Sequence, residues 1–496
     1  MNNFFYFRAY IFSLLAIWIS PYFIFYEQNY EQIIFLDTLQ PLVILCLICF
    51  CLFFTIFILS KLFPKKIKFF FILAIVSSLF GLNFEFIYED QIKKQFENFI
   101  NVKLVFFLFL FSTIFIIMQV TKISFFKHFL AFSLIFSCLI PCFNLLYKAY
   151  NNKNGEFLFN ISEIQSTQTN SEILKENIYF ILLDGYASKN TFLNLNSDND
   201  FFYNYLHRKN FKMLGDKAAY NFSYLAISSL FYLNYPVIEG DTKYFNRSQF
   251  FPALLGADRV PPLIEELNEL EYEFIFAGNS WSGCDPKYVK CISFFDGFFT
   301  FETSVIFSKT ALAYFLRYKF NNDAIGNFMS NIDDRSVNKN PKFYFLYQLS
   351  PHPPYLDKDC KTEQFEGLEN WKPISKYLTT VKCVNDKVIK LISLIEESDP
   401  TSIIVIQSDH GPITGSDWLK NNSNENIKNR MGIINAIKTP QECEPWLNEN
   451  LGPINTVRFL LACIKQVEPL YIDEKTYIGM PEGEDGFGYV KRLIDK

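Results

Sequence analysis

Residues 177–186 read Asn-Ile-Tyr-Phe-Ile-Leu-Leu-Asp-Gly-Tyr. Apolar side chains fill the run from Ile178 to Leu183, and then Asp184 and Gly185 stop it. A short, continuously apolar, β-branched and aromatic run that ends on turn residues predicts a buried strand. Residues 273–277, 343–349 and 402–407 repeat the pattern. Helical spacing separates them. Residues 262–270 open on a proline, and 377–397 place Leu378, Val381, Val384, Val388, Leu391, Ile392 and Ile395 on one face. Fully apolar strands alternating with helices predict an α/β domain whose central sheet is mostly parallel and covered on both faces. That domain is expected over residues 177–496, behind a polar linker at 151–176.

Upstream the composition changes. The chain has 496 residues, half of them hydrophobic, and 59 are phenylalanine, concentrated in the first third. This much apolar surface excludes a disordered polymer. A formal charge of −5 argues against a nucleic-acid partner, which would need a basic face. Five apolar runs (residues 4–26, 39–63, 69–88, 102–120 and 125–147) are each long enough to span hydrocarbon. They predict an N-terminal transmembrane helical bundle of about five spans over residues 1–150. Lys61, Lys65, Lys66 and Lys68 crowd the second connection, Lys122 and Lys127 mark the fourth, and the first is acidic. The positive-inside rule then puts the N-terminus in the cytoplasm and everything after residue 147 outside. The expected location is the plasma (inner) membrane, with the C-terminal domain periplasmic or extracellular. Six of the 11 cysteines (Cys284, Cys291, Cys360, Cys383, Cys443 and Cys463) lie in that exported part. An even number there suggests disulfides, and pairing of sequence neighbours is the expectation.

In mostly parallel sheets, ligands bind beyond the carboxyl ends of the strands. The four strands end in Asp184-Gly185, in Gly278-Asn279-Ser280-Trp281, in Ser350-Pro351-His352-Pro353, and in Ser408-Asp409-His410-Gly411. Each alone reads as a turn. Together they bring two carboxylates and two imidazoles to one sheet edge. Two carboxylates and an imidazole suit a divalent cation, with manganese, zinc, magnesium and calcium as the candidates. Such an ion can stabilise charge on a phosphoryl or sulfuryl group.

Four motifs come in order: residues 177–186, the Ser-Pro-His-Pro-Pro-Tyr run at 350–355, Ser408-Asp409-His410-Gly411, and Ile-Asn-Thr-Val-Arg at 454–458. As a set they resemble the sulfatase-like branch of the alkaline phosphatase superfamily. Lipoteichoic acid synthases and phosphoethanolamine transferases belong to that branch. The resemblance covers about residues 175–475. It implies that Asp184, Asp409 and His410 hold a metal and that His352 contacts the transferred group. It also implies that Asn279 and Trp281 line the pocket, while Arg458 reads as structural. The family places a threonine nucleophile, or its equivalent, at the start of a helix between the first two strands. Matching Asn221 and Leu233-Asn234 without a gap puts Leu225 there. A two-residue slip would bring Ser223 into the role. Ser228 or Ser229 is chemically able but lies a turn too deep, where packing in the helix is the simpler reading; a third reading is that covalent chemistry is lost and the domain uses metal-bound water or only binds.

Two functions are therefore expected in competition. One is a membrane-anchored, metal-dependent hydrolase or phospho-group transferase. It would act on phosphate or sulfate esters of lipid-linked head groups or surface glycans. The other is a catalytically silent envelope protein that binds a partner or glycan, motivated by Leu225. A transporter built from the five spans is disfavoured by their few charges.

Overall fold

The six apolar residues Ile178–Leu183 form strand β1, and every one of them is buried. In the computed structural model the described residues are 39–62, 173–239, 260–278, 289–293, 323–330, 340–362, 373–412, 424–480 and 489–493, with residue 284 and short pieces at 19–27 and 139–147. They fall into two compact units.

The second unit holds all the described strands. After β1 come β2 (Lys212–Met213), β3 (Glu273–Gly278), β4 (Lys290–Ser293), β5 (Lys342–Gln348), β6 (Ile403–Gln407), β7 (Asn435–Lys438), β8 (Tyr477–Met480) and β9 (Tyr489–Arg492). Seven of them form one sheet in the order β2-β7-β6-β1-β5-β3-β4. β1 is central and runs parallel to β5 and β6, and β3 runs parallel to β5 and β4. Only β7 is antiparallel, against both β6 and β2. β8 and β9 make a small separate antiparallel sheet.

Strand alternation sorts the core into two layers. Phe180 and Leu182, Phe343, Phe345 and Tyr347, and Ile403 and Val405 face one side. Helices α4 (Ser223–Tyr232), α5 (Pro262–Glu269) and α9 (Pro453–Lys465) cover them. Rings interlock across this layer: Phe180 to Phe345 at 5.3 Å between centroids, Phe274 to Phe343 at 5.1 Å, and Phe231 of α4 to Phe345 at 5.2 Å. Tyr179, Ile181 and Leu183, with Tyr344, Leu346, Ile404 and Ile406, face the other side. There they meet α2 (Lys189–Asn194), α3 (Asp200–Arg208), α6 (Ala324–Ser330) and α7 (Ile374–Ser398). The eighth helix, α8 (Asn424–Met431), precedes β7. Fully apolar strands are thus explained by a sheet buried on both faces.

The six downstream cysteines pair as sequence neighbours: Cys284 with Cys291, Cys360 with Cys383, and Cys443 with Cys463. Residues 173–176 of the expected linker are tied to the domain, since Leu174 N–H donates to Ile464 O and Tyr272 Oη donates to Glu176 O.

The first unit contains α1 (Leu39–Leu62). Among the described residues it is the one helix long and apolar enough to cross a membrane, with mean hydropathy 3.3 over Leu39–Leu59. The other four expected spans lie mainly outside the described residues.

Candidate metal and nucleophile site

The pairing of β1 with β6 explains why Asp184 and Asp409 meet. Leu182 is opposite Gln407 in the parallel ladder, and each carboxylate follows two residues later on the same face. Gly185 turns the chain with φ +74°, a conformation that favours glycine, and its N–H donates to Asp409 Oδ1 at 3.1 Å. The His410 N–H donates to the same oxygen at 2.9 Å. On Asp184, the Tyr347 hydroxyl donates to Oδ2 at 2.5 Å. One oxygen of each carboxylate is therefore held, while Asp184 Oδ1 and Asp409 Oδ2 are buried with no hydrogen-bond partner.

His410 faces these two bare oxygens. Its Nε2 lies 3.7 Å from Asp184 Oδ1 and 3.3 Å from Asp409 Oδ2. Its Nδ1 is 3.0 Å from Gly411 O, an atom that can only accept, so Nδ1 carries the proton and Nε2 the lone pair. Burial pushes the Asp184 carboxyl well above its usual range, and the Asp409 charge adds to the effect; Tyr347, Arg430 and Ser223 oppose it. Burial raises Asp409 and lowers His410. Two bare buried carboxylate oxygens beside an imidazole lone pair are costly without a counter-charge. The three side chains, with ligand atoms within 4.8 Å of one another, form a possible metal site. Their chemistry fits a divalent cation.

Ser223 completes the cluster. It is the first residue of α4, and its Oγ sits 3.0 Å from His410 Nε2. Leu225 is fully buried and packs with Tyr220, Ile454 and Tyr477 away from the acids. A Cβ on Gly479 would come within 2.9 Å of Leu225 Cδ1, so the small sheet presses directly on this turn. Asn221 fixes the approach: it donates to Gly479 O at 3.2 Å and accepts from Gly479 N–H at 2.6 Å. Ser228 and Ser229 donate back to Tyr224 O and Ala226 O within their own helix. The helix start thus presents a serine two residues before the position that the ungapped match gave.

His352 reaches the same edge from the loop after β5. Its N–H donates to Asp184 O at 3.0 Å, and Nδ1 is 2.8 Å from Pro353 O. Enclosure is the main cause that brings its ring down to about 4, with Arg430 contributing, so it is neutral at physiological pH. The His410 ring and the Cα and Cβ of His352 border Gly185. The loop is anchored to α7 by Leu356 N–H donating to Thr380 Oγ1 and by the Cys360–Cys383 bridge. Arg458 donates to Leu233 O and Leu470 O, holding the end of α4. Asn279 and Trp281 lie outside the described residues.

Two neighbours escaped the sequence reading. Arg430, buried at the end of α8, donates through Nε to Asn221 O at 2.9 Å and through Nη1 to Gly411 O at 2.8 Å. Burial pulls its guanidinium down to about 10, against the pull of Asp409 and Asp184, so it stays charged at neutral pH. Tyr347 is the other. Its signal was available: it shares the strand face of Phe343 and Phe345, yet carries a polar tip level with Asp184.

Residues 257–447 match the model of the family described as Sulfatase. Over that stretch the chain is similar to the Sulfatase family. The matched stretch includes His352, Asp409, His410 and Arg430; it begins after Asp184 and Ser223 and ends before the fourth motif. Solved structures similar to the chain include the zinc complex of the C-terminal periplasmic domain of EptC from Escherichia coli (10% identity, 64% of this chain, 94% of that one, TM-score 0.43). Another is the integral membrane lipooligosaccharide phosphoethanolamine transferase EptA from Neisseria meningitidis (12% identity, 93% of this chain, 92% of that one, TM-score 0.36). A third is the lipoteichoic acid synthase LtaP from Listeria monocytogenes (14% identity, 64% of this chain, 81% of that one, TM-score 0.37). No curated protein matches the chain.

Proposed function

We propose that the chain is a membrane-anchored, metal-dependent hydrolase or phospho-group transferase. Its substrates are phosphate or sulfate esters on lipid-linked head groups or surface glycans. The observation that carries this reading is Ser223 Oγ at a helix start, 3.0 Å from the imidazole of an Asp-Asp-His cluster whose two bare oxygens call for a cation. Asp184, Asp409 and His410 would hold the ion, with Ser223 beside them. Bound there, the ion supplies positive charge that favours the serine alkoxide and the developing charge on the transferred group.

Ser223 Oγ is the attacking atom. Ser223 gives its hydroxyl proton to solvent water; its bond to phosphorus or sulfur forms as the bond from that atom to the ester oxygen breaks, and the departing oxygen takes a proton from water. Attack by water or an acceptor hydroxyl then releases the group from Ser223. His352, neutral with Nδ1–H pointed at Pro353 O, has the acceptor tautomer needed to take the proton of that incoming hydroxyl. The apolar helix α1, with Phe50 and Phe54 exposed, supports membrane anchoring and a lipid-borne substrate. The binding-only alternative rests on Leu225; the placement of Ser223 Oγ beside His410 supports the catalytic reading over it.

The test uses purified full-length protein, freed of metal by a chelator. Wild type should regain hydrolysis of a generic phosphodiester on adding a divalent cation, and should bind one ion per chain. Ser223→Ala should keep the ion and lose about 10²-fold or more in turnover, a loss of transition-state stabilisation. Asp184→Ala with Asp409→Ala should lose both. Full turnover in Ser223→Ala would sink the assignment of the nucleophile.

A further inference from the structure

Each carboxylate in the cluster offers one oxygen and not two. For Asp409 the backbone decides this, because Oδ1 accepts from both Gly185 N–H and His410 N–H. For Asp184 a single side chain decides it, because Oδ2 accepts from Tyr347 Oη. We propose that Tyr347 is a positioning residue that makes Asp184 a one-oxygen ligand and thereby sets the ion preference of the site toward a small, few-ligand cation such as zinc and against calcium. The inference rests on the reading of the cluster as a cation site.

The geometry supplies the reasons. Four side-chain atoms converge: Asp184 Oδ1, Asp409 Oδ2, His410 Nε2 and Ser223 Oγ. Four mixed N/O donors suit tetrahedral zinc. Calcium takes six to eight oxygens and commonly uses carboxylates through both oxygens, which this site withholds. Tyr347 is well placed to enforce the restriction. Its ring is buried on β5, in line with Phe343 and Phe345, and β5 neighbours β1, so its hydroxyl cannot swing away from Asp184 without disturbing that layer. Tyr347→Phe removes one oxygen atom and keeps the ring, leaving Asp184 free to rotate and offer both oxygens.

The experiment is calorimetric titration of metal-free, full-length wild type and Tyr347→Phe with zinc and, separately, with calcium. Wild type should bind zinc at one ion per chain and much more tightly than calcium. In Tyr347→Phe the zinc affinity should fall about tenfold, the lower end for loss of a residue that orients a ligand, while calcium affinity holds or rises. An equal loss for both ions, or no change in either, overturns the assignment to Tyr347 and leaves the cation site standing. Failure of wild type to bind any ion overturns the cation site itself. A measurement on wild type alone covers the case in which Tyr347→Phe does not fold. Infrared difference spectra on zinc addition should show the wide carboxylate splitting of one-oxygen ligation, and a narrow two-oxygen splitting overturns the proposal.

Discussion

One guanidinium joins the two halves of the site. Arg430 grips Asn221 O, two residues before Ser223, and Gly411 O, one residue after His410. The Gly411 N–H donates in return to Arg430 O at 2.7 Å, so this contact is double. Gly411 O also takes the His410 Nδ1 proton, which means that the atom fixing the His410 tautomer is itself held by Arg430. Replacing Arg430 with methionine leaves two buried carbonyls short of a donor and removes a positive charge from beside two buried acids. We expect Arg430→Met to lower the stability of the metal-free protein by about 3 kcal/mol, read by denaturant unfolding. Arg430→Lys should recover part of that, because an ammonium keeps the charge but lacks the planar fork. Equal stability of wild type and Arg430→Met would mean that the clamp is not a structural link. None of this was legible in residues 424–431, which read Asn-Glu-Asn-Ile-Lys-Asn-Arg-Met and look like a solvated polar helix. Arg430 is buried by partners far away in sequence, and no local pattern announces it.

At the scale of elements, the sequence yields what local chemistry controls. β1 matches its expected bounds, and β3, β5 and β6 agree within a residue, because apolar runs stopped by turn residues leave little freedom. The strand-end acids were legible for the same reason. The start of α4 was not, because its phase depends on a contact 258 residues away: the pairing of Asn221 with Gly479. That pairing makes Gly479 the gauge of the position of Ser223, the proposed nucleophile. A Cβ there would sit 2.8 Å from Phe222 Cδ2, 2.9 Å from Leu225 Cδ1 and 3.2 Å from Asn221 Oδ1, so the turn carrying Ser223 has to move. Gly479→Ala should cost about 1–3 kcal/mol, as overpacking does. It should also depress turnover more than ion affinity, since the proposed ligands Asp184, Asp409 and His410 follow β1 and β6. Calorimetry and a phosphodiester assay on the same preparation check this. A variant with unchanged turnover would detach Gly479 from the placement of Ser223.

For the whole molecule, the disulfides and the charge pattern of the apolar N-terminal segment make the same demand. The three bridges close loops spanning 7, 23 and 20 residues, and bridges over loops of this size contribute about 2–4 kcal/mol each in the chain-entropy account. They persist only in an oxidising compartment. The lysines at positions 61, 65, 66 and 68 belong on the cytoplasmic side by the positive-inside rule, and five spans would then deliver residues after 147 to the opposite side. An enzyme reporter that is active only after export, fused after residue 150, should therefore give signal. The same reporter fused at residue 66 should stay silent. An even number of spans predicts the reverse at residue 150, and it would leave six paired cysteines facing a compartment that reduces them. The two facts could not then both hold. Peptide mapping of the exported chain should recover Cys284–Cys291, Cys360–Cys383 and Cys443–Cys463 as linked pairs. A silent fusion at residue 150 together with free thiols at those six positions would overturn the exported topology, and with it a substrate on the outer face of the membrane.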